Sequence, residues 1–87
     1  DWKQFHNPKD CALSLVLEAA ELLEIFQWKT GEAVDQAAAD NKAAIGDELA
    51  DILYWVLLMA HDQGIDPTQA LRDKLAANEI KYPADKA

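Results

Sequence analysis

The sequence is poor in cysteine and in basic residues. Cys11 is the only cysteine, so no disulfide can form within the chain, which suits a reducing compartment and predicts a cytoplasmic protein. Lys and Arg together number 8 against 16 acidic residues, which gives a net charge of −8. Binding to a nucleic-acid backbone needs a basic surface, and a membrane-spanning helix needs about 20 consecutive apolar residues. The sequence has neither, so we expect no nucleic-acid partner and no membrane span.

The apolar content is high for a chain this short. Hydrophobic residues occupy 51% of the 87 positions, and three of them are Trp. A domain of this length buries only a limited fraction of its surface, and here no disulfide is available to stabilise it. We therefore predict a single domain over residues 1–87 that assembles as a homo-dimer or homo-tetramer, with part of its apolar surface between subunits.

The first predicted helix begins at Asn7 and Pro8, because asparagine caps a helix N-terminus and proline fits the first turn. Apolar residues then recur every three or four positions. Gly31 is a typical C-terminal signal. We therefore predict a helix that runs to about Lys29 or Thr30.

The middle of the chain carries one weak and one strong helix signal. Residues 32–40 are small or polar and weakly periodic. A short helix over residues 33–39 is one interpretation, but the weak pattern favours a connecting loop that can include a helical turn. From Asp40 or Asn41, apolar residues recur at helical spacing until Gly64 marks the end of the helix. Residues 53–59 are apolar all round, which again predicts a subunit interface.

The last predicted helix starts at Asp66 and Pro67 by the same capping signal. It ends at Tyr82, because the residue before a proline, here Pro83, disfavours helix. No stretch alternates between apolar and polar residues with a period of two, so no β-strand is predicted. The predicted fold class is therefore all-α, a helical bundle of three or four helices with short connections.

Two acidic pairs lie within these apolar helices: Glu18 with Glu21, and Glu48 with Asp51. Residues three apart share one face of a helix, so the members of each pair project together. If the two helices face each other, four carboxylates converge, and their repulsion and desolvation call for a cation. Oxygen ligands favour Mg²⁺, with Mn²⁺ as an alternative. On position alone, solvated surface acids explain the pattern equally well.

A di-iron centre is another metal site that carboxylate-rich bundles build. It takes a Glu-x-x-His pair from each of two helices. Here the partners three residues on are Glu21 and Asp51, while His6 precedes the first helix and His61 lies far along its helix from Asp51. The lack of histidine at the ligand spacing favours a hard cation over redox iron.

Aromatic and basic residues near the helix ends are further candidates for binding. Trp28 can stack on a planar ligand or pack in a core or an interface. Lys74 and Asn78 share a face of the last helix, and Lys81 follows three residues later. These three side chains can hold a phosphate group or can be ordinary solvated helix residues. Spacing alone leaves both interpretations open.

Taken in chain order, the motifs resemble those of the MazG-type all-α nucleoside triphosphate pyrophosphohydrolases, and within them the dCTP pyrophosphatase branch. The two acidic pairs match the ExxE and ExxD metal motif of that family. The flanking segments also match, and together with the pairs they cover nearly the whole chain. These segments are residues 1–8 (DWKQFHNP), residues 26–29 (FQWK), and Lys74, Asn78 and residues 81–83 (KYP).

The resemblance implies a helical dimer or tetramer that cleaves deoxynucleoside triphosphates between the α and β phosphates, with Mg²⁺, as a nucleotide-pool house-cleaning enzyme. It implies the metal ligands Glu18, Glu21, Glu48 and Asp51, and we assign Glu21 as the general base. It also implies phosphate-binding and base-binding sets. The phosphate-binding set is Lys74, Asn78, Lys81 and Tyr82, and the base-binding set is Trp2, His6, Trp28 and Trp55.

Two positions depart from the family pattern. Ala20 stands where the family often has glycine, which is a mild change. Trp55, preceded by Tyr54, stands where the dCTP branch tends to have tyrosine, so a dUTP-directed or broad-specificity hydrolase is the alternative. From another class, the alternative is a non-catalytic helical module for interaction or nucleotide sensing. The complete set of four acids favours the enzyme.

Overall fold

The computed structural model describes residues 7–81, and the regular structure of this part is entirely α-helical. The all-α prediction is confirmed. Four helices follow one another along the chain: α1 (Pro8–Glu24), α2 (Glu32–Asp40), α3 (Lys42–Asp62) and α4 (Pro67–Lys81).

Helix α1 begins where the sequence predicts. The Asn7 side chain accepts a hydrogen bond from the Asp10 backbone N–H at 2.8 Å, and its amide donates to the Asp10 carboxylate at 2.9 Å. Pro8 occupies the first turn, where no intrahelical donor is needed. The cap therefore satisfies one of the free N–H groups and fixes the start of the helix.

The end of α1 comes earlier than predicted. The helix stops at Glu24, and the next backbone bonds are of the tighter i→i+3 kind, from Phe26 to Leu23 and from Lys29 to Phe26, both at 2.9 Å. Isoleucine, phenylalanine and tryptophan in residues 25–28 are weaker helix formers than the leucine and glutamate before them. The prediction of regular helix to Lys29 or Thr30 is therefore wrong, because tight turns replace it.

Residues 32–40 form helix α2, so the predicted loop is also wrong. Four alanines supply high helix propensity. Glu32 and Asp35 lie in the first turn, where the positive end of the helix dipole stabilises them. Ala37 is buried and Val34 is half-buried, and α2 contacts α3. Packing against α3 thus stabilises a helix that the apolar periodicity of the sequence did not indicate.

The turn between α3 and α4 is closed by a Schellman motif. The Ile65 N–H bonds to the Ala60 carbonyl at 2.8 Å, and the Gly64 N–H bonds to the His61 carbonyl at 3.2 Å. Gly64 has a φ of 67°, the left-handed conformation that this motif requires and that glycine adopts without strain. The prediction that Gly64 ends this helix is confirmed.

Helix α4 begins at the second Asx-Pro signal, as predicted. The Asp66 carboxylate accepts hydrogen bonds from the backbone N–H groups of Thr68 at 3.0 Å and Gln69 at 3.2 Å. The predicted end at Tyr82 and Pro83 lies outside the described residues.

Helices α1 and α3 make the principal contact of the fold, α2 packs lightly on α3, and α4 forms no contact as extensive as these. On both principal helices the least exposed residues recur every three or four positions, so each helix turns one stripe to the other. We call these two stripes the packed stripe of each helix. They are Cys11, Leu15, Glu18 and Leu22 on α1, followed by Ile25 just after its end, and Ile45, Glu48, Ile52, Trp55 and Met59 on α3. The fully buried Ala60 lies next to Met59 near the end of α3.

Much apolar surface stays exposed in the single chain. Among the described residues only Cys11, Ala37 and Ala60 are fully buried, and fourteen large hydrophobic side chains are exposed. The accessible surface is 7101 Å², whereas a compact monomer of this mass exposes about 5,100 Å². None of the four helices is long and apolar enough to cross a membrane.

Candidate metal centre

Three carboxylates from two helices meet between α1 and α3. Glu18 and Glu21 lie in the second half of α1, and Glu48 lies in the first half of α3. One carboxylate oxygen of each lies within 4.8 Å of the others. We call these three side chains the carboxylate cluster. The predicted convergence of the two acidic motifs is therefore present in the structure.

Two members of the cluster belong to the packed stripes. Glu18 and Glu48 are half-buried, and the Oε2 atom of each is buried without a hydrogen-bond partner among the described residues. A buried polar atom with no partner costs free energy. Glu21, by contrast, is exposed. The cluster thus has a buried pair of oxygens and one exposed acid.

Burial also alters the protonation of this pair. It raises the pKa of the Glu18 carboxyl from 4.5 to about 7, because loss of water disfavours the charged form, and the charges of Glu21 and Asp51 add to the effect. The pKa of Glu48 is raised as well, first by burial and then by the charge of Glu21. In both carboxyls the charged form is therefore less favourable than in a free glutamate, and a nearby positive charge would offset this effect.

The donor set fits a hard divalent cation. All ligand atoms are carboxylate oxygens, the type that Mg²⁺ and Mn²⁺ prefer, and the two unpartnered Oε2 atoms are available for coordination. Within residues 7–81, neither histidine nor the buried Cys11 joins the group. The geometry supports oxygen-only coordination rather than a Glu-x-x-His iron site.

Asp51 lies outside the three-member group. Its charge nevertheless contributes to the raised pKa of both Glu18 and Glu48, so it borders the cluster. It is exposed, like Glu21. The structure thus brings three of the four predicted ligands together and places the fourth at the edge.

The two aromatic candidates that the structure describes have different surroundings. Trp28 is 88% exposed, so its ring is free to stack on a planar ligand and does not contribute to a core of the single chain. Trp55 is half-buried on the packed stripe of α3, and its ring meets Tyr54 edge-to-face at 5.3 Å between centroids. The tyrosine contact is one that sequence spacing did not predict, since neighbouring residues on a helix point in different directions.

The basic candidates lie on α4. Lys74 and Lys81 are exposed and Asn78 is half-buried. Helix α4 packs on no other helix as extensively as α1 packs on α3. Trp2, His6 and Tyr82, the remaining predicted site residues, lie outside the described part of the chain.

Comparison with known proteins agrees with this arrangement. The sequence model of the MazG-like family matches residues 13–87 of this chain. The dCTP pyrophosphatase 1 of Homo sapiens is 41% identical over 86 residues, which cover 97% of this chain and 51% of that protein. The Mus musculus protein of the same name is 38% identical over 85 residues, covering 95% and 50%. The chain thus spans about half the length of these mammalian relatives.

A solved structure is similar in both sequence and fold. The crystal structure of a pyrophosphatase from Archaeoglobus fulgidus has a TM-score of 0.88 and 37% identity to this chain, and the match covers 94% of this chain and 77% of the archaeal one. The family model matches most of the sequence, and the helical fold agrees with that of the archaeal pyrophosphatase. The chain belongs to the MazG-like family.

Proposed function

We propose that the chain is a Mg²⁺-dependent nucleoside triphosphate pyrophosphohydrolase, with Mn²⁺ as a substitute ion. The reaction adds water to a deoxynucleoside triphosphate and yields the monophosphate and pyrophosphate. The observation that carries the proposal is the carboxylate cluster with its two buried, unpartnered oxygens. The similarity to dCTP pyrophosphatase 1 supports dCTP as the first candidate substrate, with dUTP or several dNTPs as alternatives.

The cluster supplies the ligands in this proposal. Glu18 and Glu48 hold the ion between the helices, and Glu21 and Asp51 complete the site from its exposed edge. Bound Mg²⁺ would neutralise triphosphate charge and lower the pKa of a coordinated water. For this the glutamates must lose their protons, so metal binding is linked to pH through the raised pKa of Glu18 and Glu48.

Glu21 is the general base of the proposal. Its exposure allows water and substrate to reach its carboxylate, whereas the Oε2 atoms of Glu18 and Glu48 are buried. A base must lie within hydrogen-bond reach of the proton that it accepts. Glu21 would accept a proton from the attacking water as the oxygen bonds to the α phosphorus and the bond to the pyrophosphate leaving group breaks.

Substrate binding is assigned to α4 and to the aromatic residues. Lys74, Asn78 and Lys81 lie on α4, where amide and ammonium groups can donate hydrogen bonds to phosphate oxygens, and Tyr82 is proposed to join them. The exposed ring of Trp28 is the main stacking surface for the base. Trp55, Trp2 and His6 are proposed to line the remainder of the base pocket.

The proposed active form is a homo-oligomer, a dimer or tetramer, of one domain per chain over residues 1–87. The exposed hydrophobic side chains support this assembly. We also propose a cytoplasmic location, supported by the single unpaired cysteine, and no nucleic-acid or membrane partner, supported by the net charge of −8.

The test is a panel of the four common dNTPs and dUTP, incubated with Mg²⁺ and resolved by ion-exchange chromatography. We expect monophosphate and pyrophosphate in equal amounts, with dCTP cleaved fastest, and no cleavage when the metal is chelated. Orthophosphate as the first product, or intact nucleotides with both Mg²⁺ and Mn²⁺, would refute the proposal.

A further inference from the structure

Helix α3 carries two aromatic residues in succession, Tyr54 and Trp55. Their ring centroids lie 5.3 Å apart and the ring planes make an angle of 80°, the edge-to-face arrangement that aromatic pairs favour. Successive residues leave the axis of a helix about 100° apart, so the two side chains lean towards each other to make this contact. The contact is therefore a specific one, since adjacency in the sequence does not by itself bring two rings together.

The two rings differ in exposure. Trp55 is half-buried on the packed stripe of α3, whereas Tyr54 is 57% exposed. A side chain that leaves so much of its surface in water adds little to the core of the single chain. The contact with the Trp55 indole is therefore what Tyr54 contributes to its surroundings.

The pair lies beside the carboxylate cluster. Tyr54 and Trp55 follow Asp51 by three and four residues, so the three side chains leave neighbouring points of one face of α3. The charge of Asp51 raises the pKa of Glu18 on α1, which needs a short distance, so this face of α3 borders the cluster. The aromatic pair thus begins one helical turn, about 5.4 Å along the axis, beyond the acid at the edge of the cluster.

We propose that Tyr54 is a positioning residue for nucleotide binding, whose ring holds the Trp55 indole in the rotamer that presents it to the base of the substrate. Tyr54 acts through Trp55 and touches none of the reacting atoms. This inference rests on the pyrophosphohydrolase proposed above, in which Trp55 lines the base pocket, and it adds the residue that fixes the indole there.

A half-buried indole needs such a support. The χ1 angle of a tryptophan has three staggered wells and its χ2 angle has roughly two, and the exposed part of the Trp55 ring has no packing that selects among them. The attraction of an edge-to-face neighbour depends on the orientation of the ring, so Tyr54 favours one of these rotamers. An aromatic surface that is fixed before the substrate arrives loses less freedom on binding.

Trp28 shows the contrast. It is the other tryptophan of the proposed base pocket that the structure describes, and its ring is 88% exposed. No ring contact joins it to another aromatic residue of the described part of the chain. The structure therefore provides an aromatic support for Trp55 alone of these two tryptophans, which is why the proposal concerns Tyr54.

The first test compares Tyr54→Leu, which removes the ring, with Tyr54→Phe, which keeps it and loses only the hydroxyl. If the indole spreads over three χ1 wells, or over six combinations of χ1 and χ2, about one third to one sixth of the molecules hold the binding rotamer. The apparent affinity falls by that fraction. We therefore expect the KM for dCTP to rise about three- to sixfold in Tyr54→Leu with kcat little changed, and Tyr54→Phe to keep the wild-type KM.

Folding is checked in the same variants. Because Tyr54 is exposed, Tyr54→Leu removes no buried core, and leucine is a strong helix former, so the helical circular dichroism and the mass from light scattering should be unchanged. Tyr54→Met is a second variant without a ring and should match Tyr54→Leu in KM. A rise in KM that appears in Tyr54→Phe as well would overturn the proposal, because it would assign the effect to the hydroxyl.

A second test observes the indole directly and needs no substrate. With Trp2→Phe and Trp28→Phe, Trp55 is the only tryptophan of the chain, and its fluorescence anisotropy reports the motion of this ring. Rotamer exchange of exposed side chains takes picoseconds to nanoseconds. We expect a fast loss of anisotropy in this time range to appear when Tyr54→Leu is added to this background, and not when Tyr54→Phe is added.

The two tests separate the positioning role from the proposed activity. An indole that moves no more in Tyr54→Leu than in its parent overturns the positioning role, and so does an unchanged KM in an active enzyme. A wild type that cleaves no dNTP, with an indole that is released by Tyr54→Leu, overturns the activity but supports the contact as the element that fixes Trp55.

Discussion

Binding of Mn²⁺ to the carboxylate cluster should become about tenfold weaker between pH 8 and pH 6. The pKa of Glu18 is raised to about 7, so this carboxyl holds a proton in roughly a tenth of the molecules at pH 8 and in roughly nine tenths at pH 6. A cation must displace that proton before it binds. The raised pKa of Glu48 acts in the same direction.

The measurement is isothermal titration calorimetry with Mn²⁺ at both pH values, repeated in two buffers of different ionisation enthalpy. The difference in heat between the buffers counts the protons released. We expect about one proton per ion at pH 6 from Glu18, and far fewer at pH 8. Equal affinities at the two pH values, without proton release, would refute the link between burial of the cluster and metal binding.

Two variants on α1 serve as a matched pair. Glu18→Gln removes a proposed ligand and its titrating proton together, so metal binding should weaken and its pH dependence should shrink. Glu24→Gln changes an exposed acid one turn beyond Glu21 that does not belong to the cluster, so both affinity and pH dependence should be retained. An equal effect of the two substitutions would show that net charge, rather than the cluster, governs binding.

Four further predictions follow from named residues. Folding raises the pKa of Glu18 from 4.5 to about 7, so in the absence of metal its contribution to stability is complete below about pH 4.5 and is lost as the pH rises through about 7. The melting temperature should fall over this range, and added Mn²⁺ should reverse the fall. Glu21→Gln should nearly abolish dNTP turnover with unchanged circular dichroism, and unaltered turnover would remove Glu21 from the mechanism. Trp28→Ala should raise KM more than it lowers kcat if the exposed ring stacks on the base; an unchanged KM would exclude that role. Gly64→Ala should lower the free energy of unfolding by about 1–2 kcal/mol, because the φ of 67° at this position is unfavourable for alanine. Gly46→Ala should raise it by about 0.5–1 kcal/mol, because this residue lies within helix α3 and an added Cβ meets no other atom. Equal effects of the two substitutions in a urea titration would contradict this reasoning.

The parts of the fold that the sequence predicted are those governed by local chemistry. The capping side chains of Asn7 and Asp66 and the left-handed Gly64 act within a few residues of themselves, so their patterns could be read directly. Helix α2 could not be predicted in this way, because its small residues give little periodicity and the burial of Ala37 depends on tertiary packing against α3. The early end of α1 at Glu24 likewise reflects the i→i+3 backbone hydrogen bonds that follow it, which the spacing of apolar residues does not reveal.

The candidate site shows the same limit. Spacing predicted that Glu18 and Glu21 share a face, and that Glu48 and Asp51 do. It could not predict that one member of each pair enters the packed stripe while the other stays exposed. That division depends on the rotation of each helix about its axis relative to its partner, which is a property of tertiary packing rather than of either motif.

The rotation of α3 is itself an argument for function. If α3 turned by one residue, about 100°, Leu49 and Leu53 would enter the packed stripe in place of Glu48 and Ile52. That register would return the Glu48 carboxylate to water, so solvation favours it. It would also turn Ile45, Trp55 and Met59 out of the packed stripe, so packing opposes it. The observed register instead keeps Glu48 beside Glu18 and leaves both leucines exposed. Local departures from the most stable arrangement are expected where a site is functional. Here the departure is the burial of the Glu18 and Glu48 carboxylates beside each other, and the proposed cation would relieve it. The packing of the four large apolar residues of the α3 stripe thus sets the rotation that brings Glu48 to Glu18, and the proposed metal site depends on that rotation.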